Sequence, residues 1–399
     1  MNLLYIIDKL HQHAGMERIL SSKMNYLSRL PGWRVSLATY EQKGRPLPFP
    51  LNAEVQHYPL EVPIATREGF SFLPWVMAYR KSRKGLAQRL RRLLEELQPD
   101  VVVVTVYSFS VLDVIISESR RTGARVVLES HTESSTVLMA HKYGYNRPLH
   151  LLMQYWDRHL LQSVRQLSLV VCLTAEDTRF WQPYLRDVRV IPNMVSTLRH
   201  SEVDDTSQDS RVDYTSRRVI AVGRYSHEKG YDLLMEAWAR VAPQCPGWQL
   251  HLYGDGDRCP VEAQARSLGV ADSVHAHEAV KDIASVYASC SLCVVSSRYE
   301  GFSLVLAEAM SCGLPAVAFD CPYGPRHILQ DGENGYLVPL GDTEALAQRM
   351  VTLMHDSVLR ERMGKSAVES VRRRFSVEEV MTQWERVFNE LKSQPTENN

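Results

Sequence analysis

The chain has no apolar run near the roughly 18–20 residues that a bilayer-spanning helix needs. Its longest, Val101 to Val106, has the length of a buried strand. The first residues, MNLLYIIDKL, carry no basic segment before the apolar stretch and meet Asp8 early, so they read as a first strand rather than a leader. Cysteine is sparse and odd in number, seven in 399 residues. That excludes a disulfide-stapled scaffold and fits a reducing cytosol. No repeat of solenoid length is present. Net charge is zero, but not evenly so: residues 1–200 hold 26 Lys and Arg against 17 Asp and Glu, and the rest hold 20 against 29. A basic first half and an acidic second half assign any anionic partner to the first half.

A chain of 399 residues exceeds one ordinary core, so two domains are expected. Short apolar runs alternate with amphipathic stretches. The first series is Leu3–Ile7, Val35–Thr39, Val101–Val106, Val126–Leu128 and Leu169–Leu173; the second is Val219–Val222, Gln249–Tyr253, Leu292–Val295, Ala316–Phe319 and Tyr336–Val338. Runs apolar on both sides suit parallel strands covered by helices. Gly15–Leu30, Ser82–Leu97, Tyr231–Val241 and Thr343–Met354 read as such helices. The α/β alternation predicts two doubly wound, Rossmann-like domains facing across a cleft. The boundaries fall at 1–198, a polar linker over 199–217, 218–374, and a final helix and tail over 375–399 that crosses back to the first domain. Between 199 and 218 the sequence RHSEVDDTSQDSRVDYTSRR has too few apolar residues to build a core.

Two stretches carry chemistry. VIAVGRYSHEKGYDLLMEAW, 219–238, reads as strand, turn and helix, with Arg224 and Lys229 in the turn. Ligands of open α/β sheets sit beyond the carboxyl ends of the strands. Two cations beside a helix N-terminus suit a diphosphate, although each alone reads more readily as a solvated surface charge. SSRYEGFSLVLAEAMSCGLP, 296–315, places Glu300 after a strand and Glu308 on the following helix. Gly301 permits close approach to a ligand, and the Ser303 hydroxyl is positioned to cap the helix. The two carboxylates suit sugar and ribose hydroxyls; the plainer alternative has Glu300 balancing Arg298 and Glu308 in solvent.

With these residues in view, the chain resembles the retaining GT-B glycosyltransferases of family 4. The resemblance runs through GMER (15–18), IPN (191–193), VGRYSHEKG (222–230), LYGDGD (252–257), EGFSLVLAEAMSCGLPAVAFD (300–320) and DGENGYLV (331–338). FDCPYGPRHIL, 319–329, further resembles members that build bacterial surface polysaccharide or lipopolysaccharide, often from UDP-hexoses. The resemblance implies a hexosyltransferase acting on a lipid-linked glycan. It implies that Arg224 and Lys229 hold the donor diphosphate, and that Glu300 contacts the donor sugar. The backbone of Gly301, Phe302 and Ser303 would approach the sugar and phosphates, and Glu308 would bind the ribose. The Gly15 loop would close over the reacting centre. His131, in LESHTES, matches a histidine that hydrogen-bonds the donor sugar; by itself it reads as an ordinary loop residue. The chain departs from the family at Ala14, where a second glycine is usual, and at His277, where glycine is common.

No cofactor or metal is expected. Asp255-Gly256-Asp257 is better read as a tight turn than as a Mn²⁺ ligand pair. The GDGD run also stops short of a dinucleotide G-x-G-x-x-G. Cys290 and Cys293, with His275 and His277 upstream, read as buried strand cysteines rather than zinc ligands. RKSRKGLAQRLRR, 80–92, has seven basic residues in thirteen and follows Phe70, Phe72, Trp75, Val76 and Tyr79. That mixture suits an anionic membrane surface, which would place a cytoplasmic protein on the inner face of the plasma membrane. It equally suits a solvated helix packed through Leu86, Leu90, Leu93, Leu94 and Leu97. Two other functions fit less of the sequence: a GT-B-like sugar-nucleotide epimerase, and a non-catalytic anion- or nucleic-acid-binding protein, for which no nucleic-acid signature is present.

Overall fold

The structure is a computed structural model. It describes residues 1–11, 15–66, 71–105, 109–131, 147–195 and 212–394. The chain forms two compact units, Met1–Pro192 with Met381–Asn399, and Asn193–Val380.

Among the described residues the first unit holds a seven-stranded sheet, ordered β3-β2-β1-β4-β5-β6-β7. The strands are β1 (Asn2–Ile7), β2 (Arg34–Thr39), β3 (Gln56–Pro59), β4 (Val101–Val104), β5 (Arg125–Ser130), β6 (Leu169–Cys172) and β7 (Val188–Val190). Every pairing is parallel. The central strands are apolar on both faces because crossover helices pack on them. Leu4, Ile6, Val102, Val104, Val126, Leu128 and Val170 share a core with Leu86, Leu90, Leu93 and Leu94 of the helix Phe72–Leu97. Each such leucine contributes about 1.5–3 kcal/mol by its burial.

That helix starts ten residues earlier than the apolar period over 82–97 suggests. Its first turns bury Trp75, and the Trp75 and Tyr79 rings meet Trp156 at 5.6 and 5.8 Å. β3 and β7 have no counterpart among the apolar runs. They are edge strands, half exposed and polar, so no apolar pattern marks them. β4 ends at Val104, and Val106 lies outside the described residues, as does most of the expected linker.

The last helix, Val377–Ser393, returns to the first unit. Met381, Trp384, Phe388 and Leu391 repeat at helical spacing and are buried. Phe388 meets Trp33 edge-on at 6.1 Å. Around that seam Tyr26 donates to Glu385 at 3.1 Å, Arg189 pairs with Glu390 at 2.6 Å and Lys392 with Asp100 at 2.9 Å.

The second unit holds a six-stranded parallel sheet ordered β10-β9-β8-β11-β12-β13. Its strands are β8 (Arg218–Val222), β9 (Gln249–Tyr253), β10 (Val274–His277), β11 (Leu292–Val295), β12 (Ala316–Asp320) and β13 (Gly335–Pro339). Numbered within the unit, this is the 3-2-1-4-5-6 order of a doubly wound nucleotide-binding sheet. The order reverses between β8 and β11, so their carboxyl ends open on the crevice where such sheets take ligands. The helix Tyr231–Val241 packs behind it through Leu234, Ala237, Trp238 and Val241, and the Trp238 indole donates to Ser273 at 2.9 Å.

Candidate active site

The two motif stretches leave β8 and β11 side by side, and the turns that follow are locked together. Gly230 has a left-handed φ of 62°, and a Cβ there would overlap the Ser296 carbonyl, so only glycine lets the turns approach this closely. Ser296 donates to the Lys229 carbonyl at 2.9 Å. The Arg298 amide donates to the Glu228 carbonyl at 2.8 Å. The Arg298 guanidinium then forks onto both oxygens of Asp232, at 2.8 and 2.6 Å. Arg298 is thus committed to Asp232, which removes it as the partner of Glu300.

Glu300 instead meets Lys229: Nζ to Oε1 is 2.7 Å, and the Ser297 hydroxyl donates to the same oxygen at 2.7 Å. Both side chains are largely covered, Lys229 19% and Glu300 11% exposed. On its other side Glu300 rests against the loop after β12. A Cβ added to Gly324 would sit 2.5 Å from Glu300 Cβ. That loop is stapled by Arg326 to Asp320, at 2.7 and 2.9 Å, and its carbonyls at His327 and Ile328 accept from Arg374. Tyr323 within it holds a left-handed φ of 64°, which costs a non-glycine residue roughly 1–3 kcal/mol and persists only where the surroundings enforce it.

The rest of the predicted set lies in the same region of the second unit. Arg224 is exposed, in the turn after β8. The neighbouring Ser226 and then Tyr299, together with the charge of Arg224, hold the Glu228 carboxyl below its ordinary range. Gly301 is in the bend before the helix Leu304–Ser311. Phe302 is buried edge-on against Phe375 at 5.3 Å. Ser303 occupies the N-cap, but its hydroxyl makes no capping bond. It is buried and has no partner among the described residues, which corrects the capping role expected for it. Glu308 is buried within the helix, not solvated.

The first unit places His131 just past β5, with its side chain 4% exposed. Nε2 lies 3.1 Å from Oε1 of Glu129, the residue two before it. Glu129 is itself buried and paired with the buried Lys23, whose ammonium sits 3.9 Å from the centre of the Trp384 ring. Burial acts to raise the Glu129 carboxyl, but Lys23 and then His131 overcome it and pull it down to about 2. Gly15 opens the helix Gly15–Ser28; Ala14 lies outside the described residues. Lys23 and Glu129 carry no motif and were invisible to the sequence reading. The signal that marks them is two opposite charges inside otherwise apolar segments.

Features set apart by sequence resolve as structure. Asp255 accepts the Tyr225 amide through its carbonyl at 2.8 Å, and Asp257 accepts the Cys259 amide at 3.0 Å, so GDGD is a turn. Cys290 and Cys293 are buried, and burial raises both thiols. His275 bonds Gln249 at 2.6 Å and His277 bonds His251 at 3.0 Å, so neither turns to the cysteines. Among the described residues no group of three or more His, Cys, Asp or Glu side chains converges as a metal site, and no helix is long and apolar enough to cross a membrane.

Comparison with known proteins places these geometries. Residues 13–199 match the family model described as Glycosyltransferase Family 4, and residues 216–356 the model described as Glycosyl transferases group 1. The amylovoran biosynthesis glycosyltransferase AmsD of Erwinia amylovora is 25% identical over 97% of this chain and 99% of its own. An exopolysaccharide phosphotransferase of Streptomyces coelicolor is 36% identical over 46% of this chain; the match spans 20% of that longer protein. Anabaena HepE, solved in complex with UDP and glucose, superposes with a TM-score of 0.69 over 97% of this chain and 99% of its own, at 19% identity. Two parallel doubly wound sheets, a returning C-terminal helix and these two matched models together show that the chain belongs to the GT-B glycosyltransferases.

Proposed function

We propose that the protein is a retaining glycosyltransferase that moves a hexose from a UDP-hexose to a growing lipid-linked glycan of a bacterial surface polysaccharide or lipopolysaccharide, without a metal. The observation that carries this reading is the Lys229–Glu300 pair at the joined carboxyl ends of β8 and β11. The second unit would bind the donor and the first the acceptor. A donor diphosphate competes with Glu300 for Lys229. With Lys229 and Arg224 on the phosphates, Glu300 is released to accept from sugar hydroxyls. Gly301, Phe302 and Ser303 bring backbone and the partnerless Ser303 hydroxyl to the same place, and Glu308 accepts from the ribose. The Gly15 loop and His131, in the first unit, keep the roles that the family resemblance implies for them. UDP is favoured by the FDCPYGP stretch and by the ligand named for HepE; the glycan class is favoured by the names of the AmsD and Streptomyces relatives.

In the reaction the bond between the anomeric carbon and the β-phosphate oxygen breaks, and a bond forms to the acceptor oxygen on the same face. The acceptor proton passes to the departing phosphate. Negative charge grows on the leaving diphosphate, so fixed cations there lower the barrier more than they tighten ground-state binding. Incubating the protein with UDP-, GDP- and ADP-hexoses and a glycan acceptor tests the proposal. A UDP-hexose should raise the melting temperature and yield a product whose anomeric configuration matches the donor. An inverted product, or an epimerised sugar nucleotide formed without acceptor, would overturn it.

The helix Phe72–Leu97 offers the surface for an anionic membrane, in a narrower form than the run 70–92 suggests. Arg83 is paired with Asp113 and Arg91 with Glu118, and Arg89 donates to the Leu60 carbonyl. Phe70 lies outside the described residues, and Trp75 is buried. Arg80, Lys81, Lys84 and Arg92 remain exposed, with Met77 73% exposed ahead of them. Sedimentation with anionic liposomes, repeated after charge reversal at Lys81, Lys84 and Arg92, reads this directly; unchanged binding would remove the surface from the account.

A further inference from the structure

The GDGD turn that follows β9 has no part in the contacts proposed above, yet it packs against the turn that carries Arg224. A Cβ added to Gly254 would overlap the Gly223 carbonyl, so the two turns touch backbone to backbone. The Gly223 amide donates to the Tyr253 carbonyl at 2.9 Å, and the Tyr225 amide to the Asp255 carbonyl at 2.8 Å. Arg224 stands between these two tethers, and its own carbonyl accepts from the Ser226 amide at 2.8 Å. The Tyr225 phenol reaches furthest. It donates across the carbonyls of Leu252 in β9, at 3.0 Å, and of His277 at the end of β10, at 2.9 Å. The His277 carbonyl also accepts from the Gly254 amide at 3.3 Å, so the phenol and the GDGD turn share one acceptor. The ring is half-buried and tilted against Tyr231, with centroids 5.4 Å apart, and Tyr231 in turn donates to the Gly223 carbonyl at 2.9 Å. Burial pushes the Tyr225 phenol up to about 12, so at neutral pH it keeps its proton and can donate.

We propose that Tyr225 is a positioning residue for Arg224: its phenol ties the turn after β8 to the ends of β9 and β10, so that the exposed guanidinium is presented to a nucleoside diphosphate from a fixed backbone. An exposed arginine is ordered when it takes a ligand, and a turn free to move would have to be ordered with it. Tethers on the residues either side of Arg224 remove that second cost before the ligand arrives. Phenylalanine would fill the same space against Tyr231, so the bridge between two strand-end carbonyls is what the hydroxyl adds. The two cations are thus held from opposite sides. Glu300 and Ser297 hold Lys229 from the β11 side, and Tyr225 holds the Arg224 turn from the side of β9 and β10. The diphosphate contact rests on the proposed function; the brace does not.

The test therefore has two arms. Without ligand, amide hydrogen exchange in Tyr225→Phe should quicken by about tenfold or more at residues 225 and 254, while the Trp238 amide on the helix behind keeps its parent rate. Parent rates at 225 and 254, or an equal rise at Trp238, overturn the brace whatever the protein's activity. In the second arm UDP is titrated into the parent, Tyr225→Phe, Arg224→Ala and the double variant. Tyr225→Phe should weaken UDP by about fivefold or more in the parent background and change nothing further in the Arg224→Ala background, because it acts only through Arg224. An equal loss in both backgrounds would leave Tyr225 a general support of the fold and contradict the proposal. Equal UDP affinity in the parent and Arg224→Ala would overturn the phosphate role given to Arg224, and with it the functional half of the inference, while the exchange rates still decide the brace.

Discussion

Lys229 and Glu300 come from turns 71 residues apart and meet at 2.7 Å, with Ser297 on the same carboxylate oxygen. This contact joins the two motif stretches of the second unit into one site. Under the proposed function it also gives Lys229 two partners to serve in turn, the Glu300 carboxylate and a donor phosphate. Lys229→Ala should lower kcat/KM by about 10²–10³, the usual loss for one preorganised charge contact. Initial-rate assays at fixed acceptor measure it, and circular dichroism confirms that the fold persists.

Gly324 gives the sharpest steric prediction. A methyl group there meets Glu300 Cβ at 2.5 Å, and the loop cannot yield freely because Arg326 and Arg374 staple it. Gly324→Ala should displace Glu300 and cut transfer at least tenfold, with a melting temperature close to the parent's. Full activity would show that the placement of Glu300 is immaterial to transfer.

Acid should weaken the second unit through its histidines. Burial, with the charges of Arg218, His275 and His277 adding to it, lowers His251 to about 4, and burial lowers His277 too. The unfolded chain takes up these protons near pH 6.5. Between about pH 6.5 and 4 it therefore binds more protons than the folded chain, and stability falls as pH falls through that window. His251→Gln should flatten this slope in melting curves recorded from pH 7 to 4; an identical slope would remove His251 as its cause.

Trp384 tests the returning helix. It is 1% exposed, stacks on Phe388 at 5.3 Å and covers Lys23. Trp384→Ala should cost about 3–5 kcal/mol, as large aromatic truncations in cores do, visible as an earlier thermal transition. A midpoint unchanged within error would mean that the helix adds little to the first unit.

The parts legible in the sequence are those with a period or a strict local requirement. Central strands such as Val101–Val104 announce themselves by being apolar on both faces, and Tyr231–Val241 by its 3.6-residue stripe. Glu300 and Lys229 were legible as members of a spaced motif, but their mutual pairing was not. Two cations and two acids admit several pairings, and only the approach enforced at Gly230 selects one. The edge strands β3 and β7 were illegible because edges need no apolar repeat. In the basic run over 80–92 composition alone does not reveal that Arg83 and Arg91 are answered by Asp113 and Glu118, 30 and 27 residues away. Lys23 and Glu129 were hidden for the same reason, since a long-range ion pair leaves no local pattern.

Titration calorimetry of UDP into the parent protein and into Arg224→Ala with Lys229→Ala is the most direct measurement. The account predicts saturable one-site binding that weakens at least a hundredfold when both cations are removed, the two charge contacts together contributing about 3 kcal/mol or more. Equal affinity in the parent and the double variant would contradict it, because the diphosphate would then be held somewhere other than the turns that follow β8 and β11.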